Sequence, residues 1–421
     1  AADRPLAFLD HHLKQGNSLT GSDIEAIEEL ESDTDGEGQQ SSLAEFGATR
    51  DGTIERLMEI YSDFLAIENE SVEDVQEMKR KYAEIEQDEL RQRLIAMANV
   101  YTAERFGLDV PGGGYERMAR ALEEDEEWDA VRETPWFETA RNIAAQHDFF
   151  HWELEFPSAF YDQNGERKEN SGFDVVLGNP PWLNAWTMTE KMPEMRDAIK
   201  NLFGHTDILS GHWDFYVPFV AKSLELCKPG GNHSFILPNT VLTEKYTKEL
   251  RRHFLENENI RSILDFGERD VFENVDRQVV VYNVSREPPA GEQSLRVCNG
   301  ISPFVYDEIE RVTSNMWLEV YNFQIRINKK YISDALPLIN KIDDSTTMLG
   351  NYLYVNVGAT VSSKESGDFS KNDVISESPE GNAKKFFQGT NVKRWRVNWP
   401  GEWLDYRQDE MSGPRTPEMF E

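Results

Sequence analysis

The stretch Gly172-Phe-Asp-Val-Val-Leu-Gly-Asn-Pro-Pro-Trp182 gives the strongest structural signal in this sequence. Residues 173–177 are mostly apolar, which is typical of a strand buried in a parallel sheet. A turn, Gly178-Asn-Pro-Pro-Trp182, follows this run directly. Because ligands of open α/β sheets bind at the carboxyl ends of strands, the stretch predicts a buried strand that ends in a binding site.

The turn offers hydrogen-bond acceptors and a flat ring. Pro180 and Pro181 fix φ and lack backbone N–H groups, so the carbonyls of the turn stay available as acceptors. Asn179 adds a side-chain carbonyl, and Trp182 adds a stacking surface. This combination predicts a catalytic turn that holds the amino group of a planar heterocycle while the amine attacks an electrophile. The alternative is a proline-rich turn with a tryptophan that only packs.

The sequence after the turn alternates between short apolar runs and helical patterns. Apolar runs occupy 234–238, 260–266 and 278–282, and helical patterns occupy 214–227 and 243–256. This alternation predicts an α/β fold with a mostly parallel sheet. The last two runs lie close together in sequence, joined by a loop around Phe272, and we expect them to form an antiparallel pair at the edge of the sheet.

The sequence before the turn is acidic and helical. The whole chain has 77 Asp and Glu against 44 Lys and Arg, a formal net charge of −33, and the acidic residues concentrate in 21–160. Helical periodicity is clear in 57–65, 71–106, 115–131 and 136–147. Residues 21–148 are therefore predicted to be an acidic helical insertion with a solvated face, with DNA mimicry as the alternative.

Composition narrows the class of protein. Cys227 and Cys298 are too few for a disulfide framework, and they favour a reducing, cytoplasmic compartment. No run of 18 apolar residues occurs, so no membrane span is predicted. We interpret the broad acidity as adaptation to a salty cytoplasm rather than as the mark of an acidic binding protein. His147 and His151 lack a further ligand nearby in the sequence, so no metal site is predicted.

One stretch near the end reverses the charge. Residues 381–400 contain no Asp or Glu. Basic residues there could contact phosphates, and the aromatic residues between them could reach bases, so the stretch predicts a DNA-binding surface. The alternative is a basic loop that only faces solvent. The basic residues are Lys384, Lys385, Lys393, Arg394 and Arg396.

The turn at 178–182 resembles the catalytic motif of amino-group methyltransferases that use S-adenosylmethionine. More narrowly, the chain resembles gamma-class adenine-N6 DNA methyltransferases of the large restriction–modification (type IIG) group. The resemblance covers 1–20 and about 149–290 well, and 320–421 loosely. The further stretches that carry it are Phe8-Leu-Asp-His-His12, Gly16-Asn-Ser-Leu19, Phe149-Phe-His-Trp-Glu-Leu-Glu-Phe156, and Lys228-Pro-Gly-Gly231 before Phe235-Ile-Leu-Pro238.

The resemblance implies a Rossmann-like methyltransferase sheet and three regions. The catalytic domain would comprise 1–20 and 149–320, the helical insertion 21–148, and the start of a target-recognition domain 321–421. It further implies S-adenosylmethionine as cofactor, double-stranded DNA as partner, and methylation of adenine N6 at specific sequences in restriction–modification or phage defence. A nuclease domain or subunit would lie outside this segment, and the acidity points to a halophilic source.

The resemblance also assigns roles to residues. Asn179 and the Pro180 carbonyl would bind the target amino group, while Trp182 and Phe272 would stack on the two faces of the flipped base. Asn17, where the family usually has Asp, and Asn179 would contact the cofactor.

The family's glycine-rich cofactor turn has no counterpart before Gly16, so we expect this chain to be an internal fragment of a longer protein. Two alternatives stay open. One is a catalytically inactive DNA-recognition module, and the other is a methyltransferase that acts on RNA or on a protein glutamine.

Overall fold

The computed structural model describes most of the first three quarters of the chain and scattered segments after it. The described residues are 11–23, 40–68, 70–209, 211–267, 269, 271–273, 277–289, 294–302, 305–318, 320–325, 327, 360–363, 373–379, 383–388, 391–393, 396–405 and 411–413. The chain divides into two compact units, residues 1–335 and residues 336–421. Each unit is described by itself.

Helices fill the first part of unit one, as the periodicity predicted. Their apolar faces pack into buried clusters, the larger of which includes Leu94, Met97 and Phe137. The helices are α1 (Gln40–Leu65), α2 (Val72–Glu86), α3 (Glu89–Glu104), α4 (Gly114–Ala121), α5 (Asp125–Arg132), α6 (Pro135–Gln146) and the one-turn helices α7 (Trp152–Glu155) and α8 (Pro157–Phe160). Ser71 starts α2 through a capping box, Asp88 caps α3, and Pro135 begins α6.

Two of the predicted helices are each divided. The pattern over 71–106 forms α2 and α3, because Asp88 accepts the Arg91 N–H at 2.8 Å and so begins a new helix. The pattern over 115–131 forms α4 and α5, with a break around residue 123. A side-chain cap inside an apolar periodicity interrupts a helix without disturbing the spacing of its apolar residues, which is why the pattern alone missed the first break.

A six-stranded sheet follows, in the order β1-β2-β4-β3-β5-β6. The pairs β1–β2 and β3–β5 are parallel, while β2–β4, β3–β4 and β5–β6 are antiparallel. Four of the six strands therefore run in one direction, as predicted for a mostly parallel sheet. The strands are β1 (Phe173–Gly178), β2 (Cys227–Pro238), β3 (Asn259–Asp265), β4 (Val279–Ser285), β5 (Ser294–Ser302) and β6 (Val305–Thr313).

The predicted antiparallel pairing of β3 with β4 is confirmed, but its place at the edge is wrong. Asn259 pairs with Ser285, and Asp265 pairs with Val280. The other side of β4 pairs with β2, where Phe235 lies opposite Tyr282, so β4 is an interior strand. Val280 and Val284 are fully buried, which fits a strand covered on both faces. The antiparallel pair at the edge is instead β5–β6.

Helices connect these strands and build the core around the sheet. They are α9 (Ala185–Lys191), α10 (Pro193–Leu202), α11 (Tyr216–Leu226) and α12 (Lys248–Asn257). α11 is apolar on most of its surface and packs against β1 and β2. The main core includes Trp213, Tyr216 and Leu237, all at most 1% exposed. Among the described residues, no helix combines the length and apolarity that a membrane span needs.

Unit two contains short strands. A three-stranded sheet has the order β8-β12-β9, and two further pairs are antiparallel. The strands are β7 (Thr360–Ser363), β8 (Ile375–Ser376), β9 (Ala383–Lys385), β10 (Val392–Lys393), β11 (Arg396–Val397), β12 (Trp403–Asp405) and β13 (Met411–Gly413).

Candidate functional site

The turn that the sequence singled out lies at the carboxyl end of β1, on the surface. Asn179 and Pro181 are exposed, whereas Pro180 between them is buried. Gly178 ends the strand directly beside the ring of Phe235, where an added Cβ would come within 2.7 Å of that ring. A larger residue at 178 would push the turn away from β2, so glycine keeps Asn179 at the end of the sheet.

The stem of this turn is held by the start of α11. Phe215 donates its N–H to the Leu183 carbonyl at 2.8 Å, and Ala185 donates its N–H to Asp214 at 3.0 Å. Asn184 caps α9 by accepting the Thr187 N–H at 2.8 Å. Backbone groups on both sides of Asn184 are therefore satisfied by fixed partners, which anchor the end of the turn that leads into α9.

The indole of Trp182 is half-buried and touches Phe272. The ring centroids lie 5.6 Å apart with the planes at 71°, an edge-to-face contact. Trp182 also packs against the main core, and its buried Nε1 has no hydrogen-bond partner among the described residues. The structure thus brings together the two aromatic residues that the resemblance assigned to the target base, although they lie 90 residues apart.

A cavity of about 230 Å³ adjoins the turn. Its polar lining includes Ser18, Asn179, Lys222 and Ser223. Trp182 does not line the cavity. The other lining residues are mostly apolar: Trp152, Val176, Leu177, Gly178, Pro180, Pro181, Phe219, Leu226 and Phe235.

One wall of the cavity joins two stretches that lie about 130 residues apart in sequence. Asn17 donates its N–H to the Asp148 carbonyl at 2.7 Å, and Phe150 donates its N–H to the Thr20 carbonyl at 2.7 Å. Trp152 donates its indole N–H to the Ser18 carbonyl at 3.1 Å. Both stretches carry the family resemblance, and the structure places them side by side at one end of the sheet.

Asn17 itself is used within its own turn. Its side-chain oxygen accepts the Leu19 N–H at 3.2 Å, and the neighbouring Ser18, rather than Asn17, lines the cavity. Gly16 and Gly21 flank this turn, and a Cβ at either would run into Phe150. The predicted cofactor contact of Asn17 stays a prediction, while Ser18 is a cavity residue that sequence reasoning missed.

A charged side chain, Lys222, lines the cavity. Lys222 pairs with Glu225 at 3.1 Å. Burial lowers the pKa of Lys222, but Glu225, Asp23 and Glu153 more than offset this and leave it raised. Burial, followed by Asp23, raises the pKa of Glu153 to about 7. The cavity wall therefore contains an ammonium group that stays charged at neutral pH and already has a carboxylate partner.

The lining and the volume of the cavity can be compared with S-adenosylmethionine, the cofactor that the resemblance implies. Apolar rings of Trp152 and Phe219 and the polar groups of Ser18 and Asn179 suit a ligand with an aromatic base and hydroxyl groups. The volume of 230 Å³ is below the roughly 300–1,000 Å³ of a typical pocket for a drug-sized ligand. The described residues therefore fit one side of such a cofactor.

The outer edge of β1 has no strand beside it in the described part of the chain. Val175 and Leu177 are 53% and 73% exposed, although a strand of this composition is normally covered on both faces. Leu177 also lines the cavity. The cavity is therefore open on this side.

The predicted DNA-binding residues lie in unit two. Lys385 ends β9, is exposed, and has its ammonium group 4.8 Å from the centroid of the Trp399 ring. Arg396 begins β11 and is exposed, and Lys384 lies in β9 with a half-buried side chain. Lys393 lies in β10, and Arg394 lies outside the described residues.

His151, which the sequence analysis weighed as a metal ligand, is a buried, hydrogen-bonded side chain. His151 is fully enclosed and hydrogen-bonds Asn99 at 3.0 Å and Ser22 at 3.3 Å. Burial lowers its pKa to about 4, so it is neutral at physiological pH.

The sequence carries no recognisable signal for three residues at the site, Asp214, Phe219 and Lys222, because each lies in or beside the apolar pattern of α11.

Comparison with known proteins relates part of the chain to one family. Residues 76–272 match the sequence model described as "Eco57I restriction-modification methylase". This stretch includes the turn, Trp182 and Phe272, and it begins within the helical region that the sequence predicted to be an insertion. Residues 76–272 are thus related to Eco57I-type restriction-modification methylases.

Individual relatives agree with this match. The chain is 30% identical over 105 residues, 25% of this chain and 10% of the other, to the type II restriction enzyme and methyltransferase RM.Eco57I of Escherichia coli. It is 23% identical over 239 residues, 56% of this chain and 49% of the other, to the type II methyltransferase M.TthHB8I of Thermus thermophilus. The chain thus spans half or less of the length of these relatives.

Among solved structures, the type IIG restriction endonuclease BpuSI aligns with 16% identity, covering 68% of this chain and 37% of that chain. The TM-score is 0.30, too low to support an argument about function.

Proposed function

We propose that this chain is part of a restriction–modification DNA methyltransferase that methylates adenine N6 in specific double-stranded sequences. The observation that carries the proposal is the position of Asn179, exposed at the carboxyl end of β1 and lining a cavity beside it. The match of residues 76–272 to restriction-modification methylases supports it.

Asn179 and the Pro180 carbonyl hold the target amino group in this proposal. An exocyclic amine has two N–H donors, and these two acceptors take one each. Holding both hydrogens turns the nitrogen lone pair toward the cavity, where S-adenosylmethionine would supply an electrophilic methyl group. The methyl–sulfur bond would break as the methyl–nitrogen bond forms, and the nitrogen would release one of its two protons to solvent. The rigid Pro180-Pro181 backbone keeps the acceptors in place during the reaction, so no reorganisation is needed when the amine attacks.

An adenine inside a duplex cannot reach this turn, so it must first leave the stack. Extruding it costs a few kcal/mol, and stacking on aromatic side chains offsets part of that cost. Trp182 and Phe272, which contact each other at the turn, are the aromatic pair assigned to the base in this proposal. The basic residues of 381–400 contact the DNA backbone in this proposal, and their aromatic neighbours read base edges.

The dense negative charge of the rest of the protein favours work at high salt. With a formal net charge of −33, the chain repels DNA at low salt. Near molar salt the Debye length falls to about 3 Å, so the basic stretch acts on the phosphates while distant carboxylates are screened. We therefore propose a halophilic source.

The test is to sequence, with single-molecule detection of modified bases, DNA from cells that carry the intact gene or its Asn179→Ala version. We expect N6-methyladenine at one sequence motif with the first gene and none with the second. Methylcytosine at the motif would overturn the adenine assignment. If the purified protein labels RNA or a protein glutamine from radioactive S-adenosylmethionine, and does not label DNA, the proposal that DNA is the substrate is wrong.

A further inference from the structure

A buried carboxylate holds the stem of the catalytic turn, and no sequence pattern pointed to it. Asp214 precedes α11 and is 8% exposed. One carboxylate oxygen accepts the Ala185 N–H at 3.0 Å, and the other accepts the Tyr246 hydroxyl at 2.8 Å. We propose that Asp214 is a positioning residue which, with Tyr246, fixes Asn179 and Trp182 in the geometry that methyl transfer needs. This inference rests on the proposed function.

Because Asp214 is buried, its carboxylate depends on its hydrogen-bond donors. Burying an ionised carboxylate costs several kcal/mol unless hydrogen bonds or charges compensate for the lost water. No Lys, Arg or His forms an ion pair with Asp214 in the described part of the chain, so its two donors carry this role. Arg196 lies over the Trp213 ring at 4.4 Å and interacts with Asp214 through its charge, without forming an ion pair with it.

The two donors come from segments that leave the sheet at the same end. Ala185 follows β1, and Tyr246 follows β2. The Tyr246 hydroxyl also lies 3.2 Å from the Thr240 hydroxyl, so the segment after β2 is itself held. Asp214 therefore joins the ends of two neighbouring strands through one carboxylate.

The same corner fixes the residue next to Trp182. Phe215 donates its N–H to the Leu183 carbonyl at 2.8 Å, so the carboxylate and the adjacent backbone hold 183 and 185 together. Any shift of the start of α11 moves the peptide that follows Trp182. Because a misplacement of about 1 Å at a reacting group costs roughly 100-fold in rate, loss of Asp214 should act on the chemical step.

The experiment compares three variants of the full chain. Asp214→Ala removes both acceptors. Asp214→Asn keeps an oxygen for the Ala185 N–H, and its amide can donate to Tyr246, whose hydroxyl then donates to Thr240. Tyr246→Phe removes one donor. Glu258→Gln is the matched control, because Glu258 is also buried, at 5% exposed, and bonds His253 away from the turn.

We expect kcat for DNA methylation to fall about 100-fold in Asp214→Ala and about tenfold in Tyr246→Phe. KM for DNA should change little, and Asp214→Asn should restore most of the rate. A purely structural role predicts a different result, in which thermal stability falls and kcat per folded molecule does not. Wild-type kcat in Asp214→Ala, or equal losses in the Ala and Asn variants, would overturn the inference.

Hydrogen exchange separates this inference from the proposed function. The Ala185 amide should exchange slowly in the wild-type chain and in Glu258→Gln, and fast in Asp214→Ala. This measurement needs no methylation. If the protein made from the intact gene methylates no DNA, the proposed function fails, whereas unchanged exchange at Ala185 in Asp214→Ala overturns the positioning role independently.

Discussion

The rings of Trp182 and Phe272 meet edge to face, with centroids 5.6 Å apart and planes inclined at 71°. A base held between two parallel rings needs about 7 Å between them, since stacked atoms sit roughly 3.5 Å apart. The two rings therefore leave no slot for a base in this arrangement. Entry of the target between them requires the two rings to move apart.

The first prediction concerns this aromatic pair. Trp182→Ala should lower kcat/KM for duplex DNA by about 10- to 100-fold, because one base–aromatic stack is worth roughly 1–3 kcal/mol. Trp182→Phe keeps a stacking face and should lose much less. Duplexes with 2-aminopurine at the target should brighten on binding the wild-type chain and less with Trp182→Ala. Equal brightening would contradict a stacking role for Trp182.

A second prediction concerns the amine grip. Asn179→Ala removes one of the two proposed acceptors and should slow methyl transfer at least about 100-fold, the equivalent of roughly 3 kcal/mol. Asn179→Asp keeps an acceptor and should retain part of the rate. Single-turnover methylation measures the chemical step.

Affinity for DNA in the Asn179 variants should match the wild type, because a hydrogen bond to one base contributes little beside the phosphate contacts. A wild-type rate in Asn179→Ala would refute the grip.

The third prediction concerns the basic stretch in unit two. Changing both Lys385 and Arg396 to Ala should lower affinity for DNA of any sequence. It should also reduce the slope of log affinity against log salt by about 2, since each phosphate contact contributes about 0.9. Lys79→Ala on α2, also an exposed lysine, is the control. An unchanged slope in the double variant would remove these residues from the DNA interface, and the same comparison applies to Lys393 and Arg394.

The sequence predicted the elements that depend on interactions between residues close together in the chain. The apolar run 173–177 and its turn predicted β1 and its exposed end, since strand burial and proline geometry act within a few residues. The periodic apolar spacing predicted the helices before it. The interior position of β4 could not be predicted from local sequence. It depends on which edges of β2 and β3 are free to pair once these strands have come together in the sheet.

The site itself was predictable only in part. The motif resemblance predicted roles for Asn179, Trp182 and Phe272, and these side chains lie around one turn, although their roles stay predictions. The Asp214–Tyr246 hydrogen bond joins residues 32 positions apart, and Ser18 meets Trp152 across 134 positions. Contacts of this kind follow from tertiary packing and leave no periodicity or spacing in the sequence.

The last prediction concerns pH and the buried His233 of β2. Both ring nitrogens of His233 lack hydrogen-bond partners among the described residues, and the ring packs against Phe254 and Tyr282. Burial, with a smaller contribution from His253, lowers its pKa to about 3. The unfolded chain binds a proton there near pH 6.5 and the folded chain does not, so stability falls as pH drops below 6.5.

Replacing His233 tests this cause of acid sensitivity directly. The His233 contribution amounts to about 2 kcal/mol lost between pH 7 and pH 5, given 1.36 kcal/mol for each pKa unit. His233→Leu removes the titrating group and should reduce the acid loss in the free energy of unfolding by about that amount, measured by denaturant titration at fixed salt. His212→Leu, at an exposed position, should leave the acid loss unchanged. If His233→Leu loses as much stability as the wild type between these pH values, then His233 is protonated in the folded state and burial does not hold it neutral.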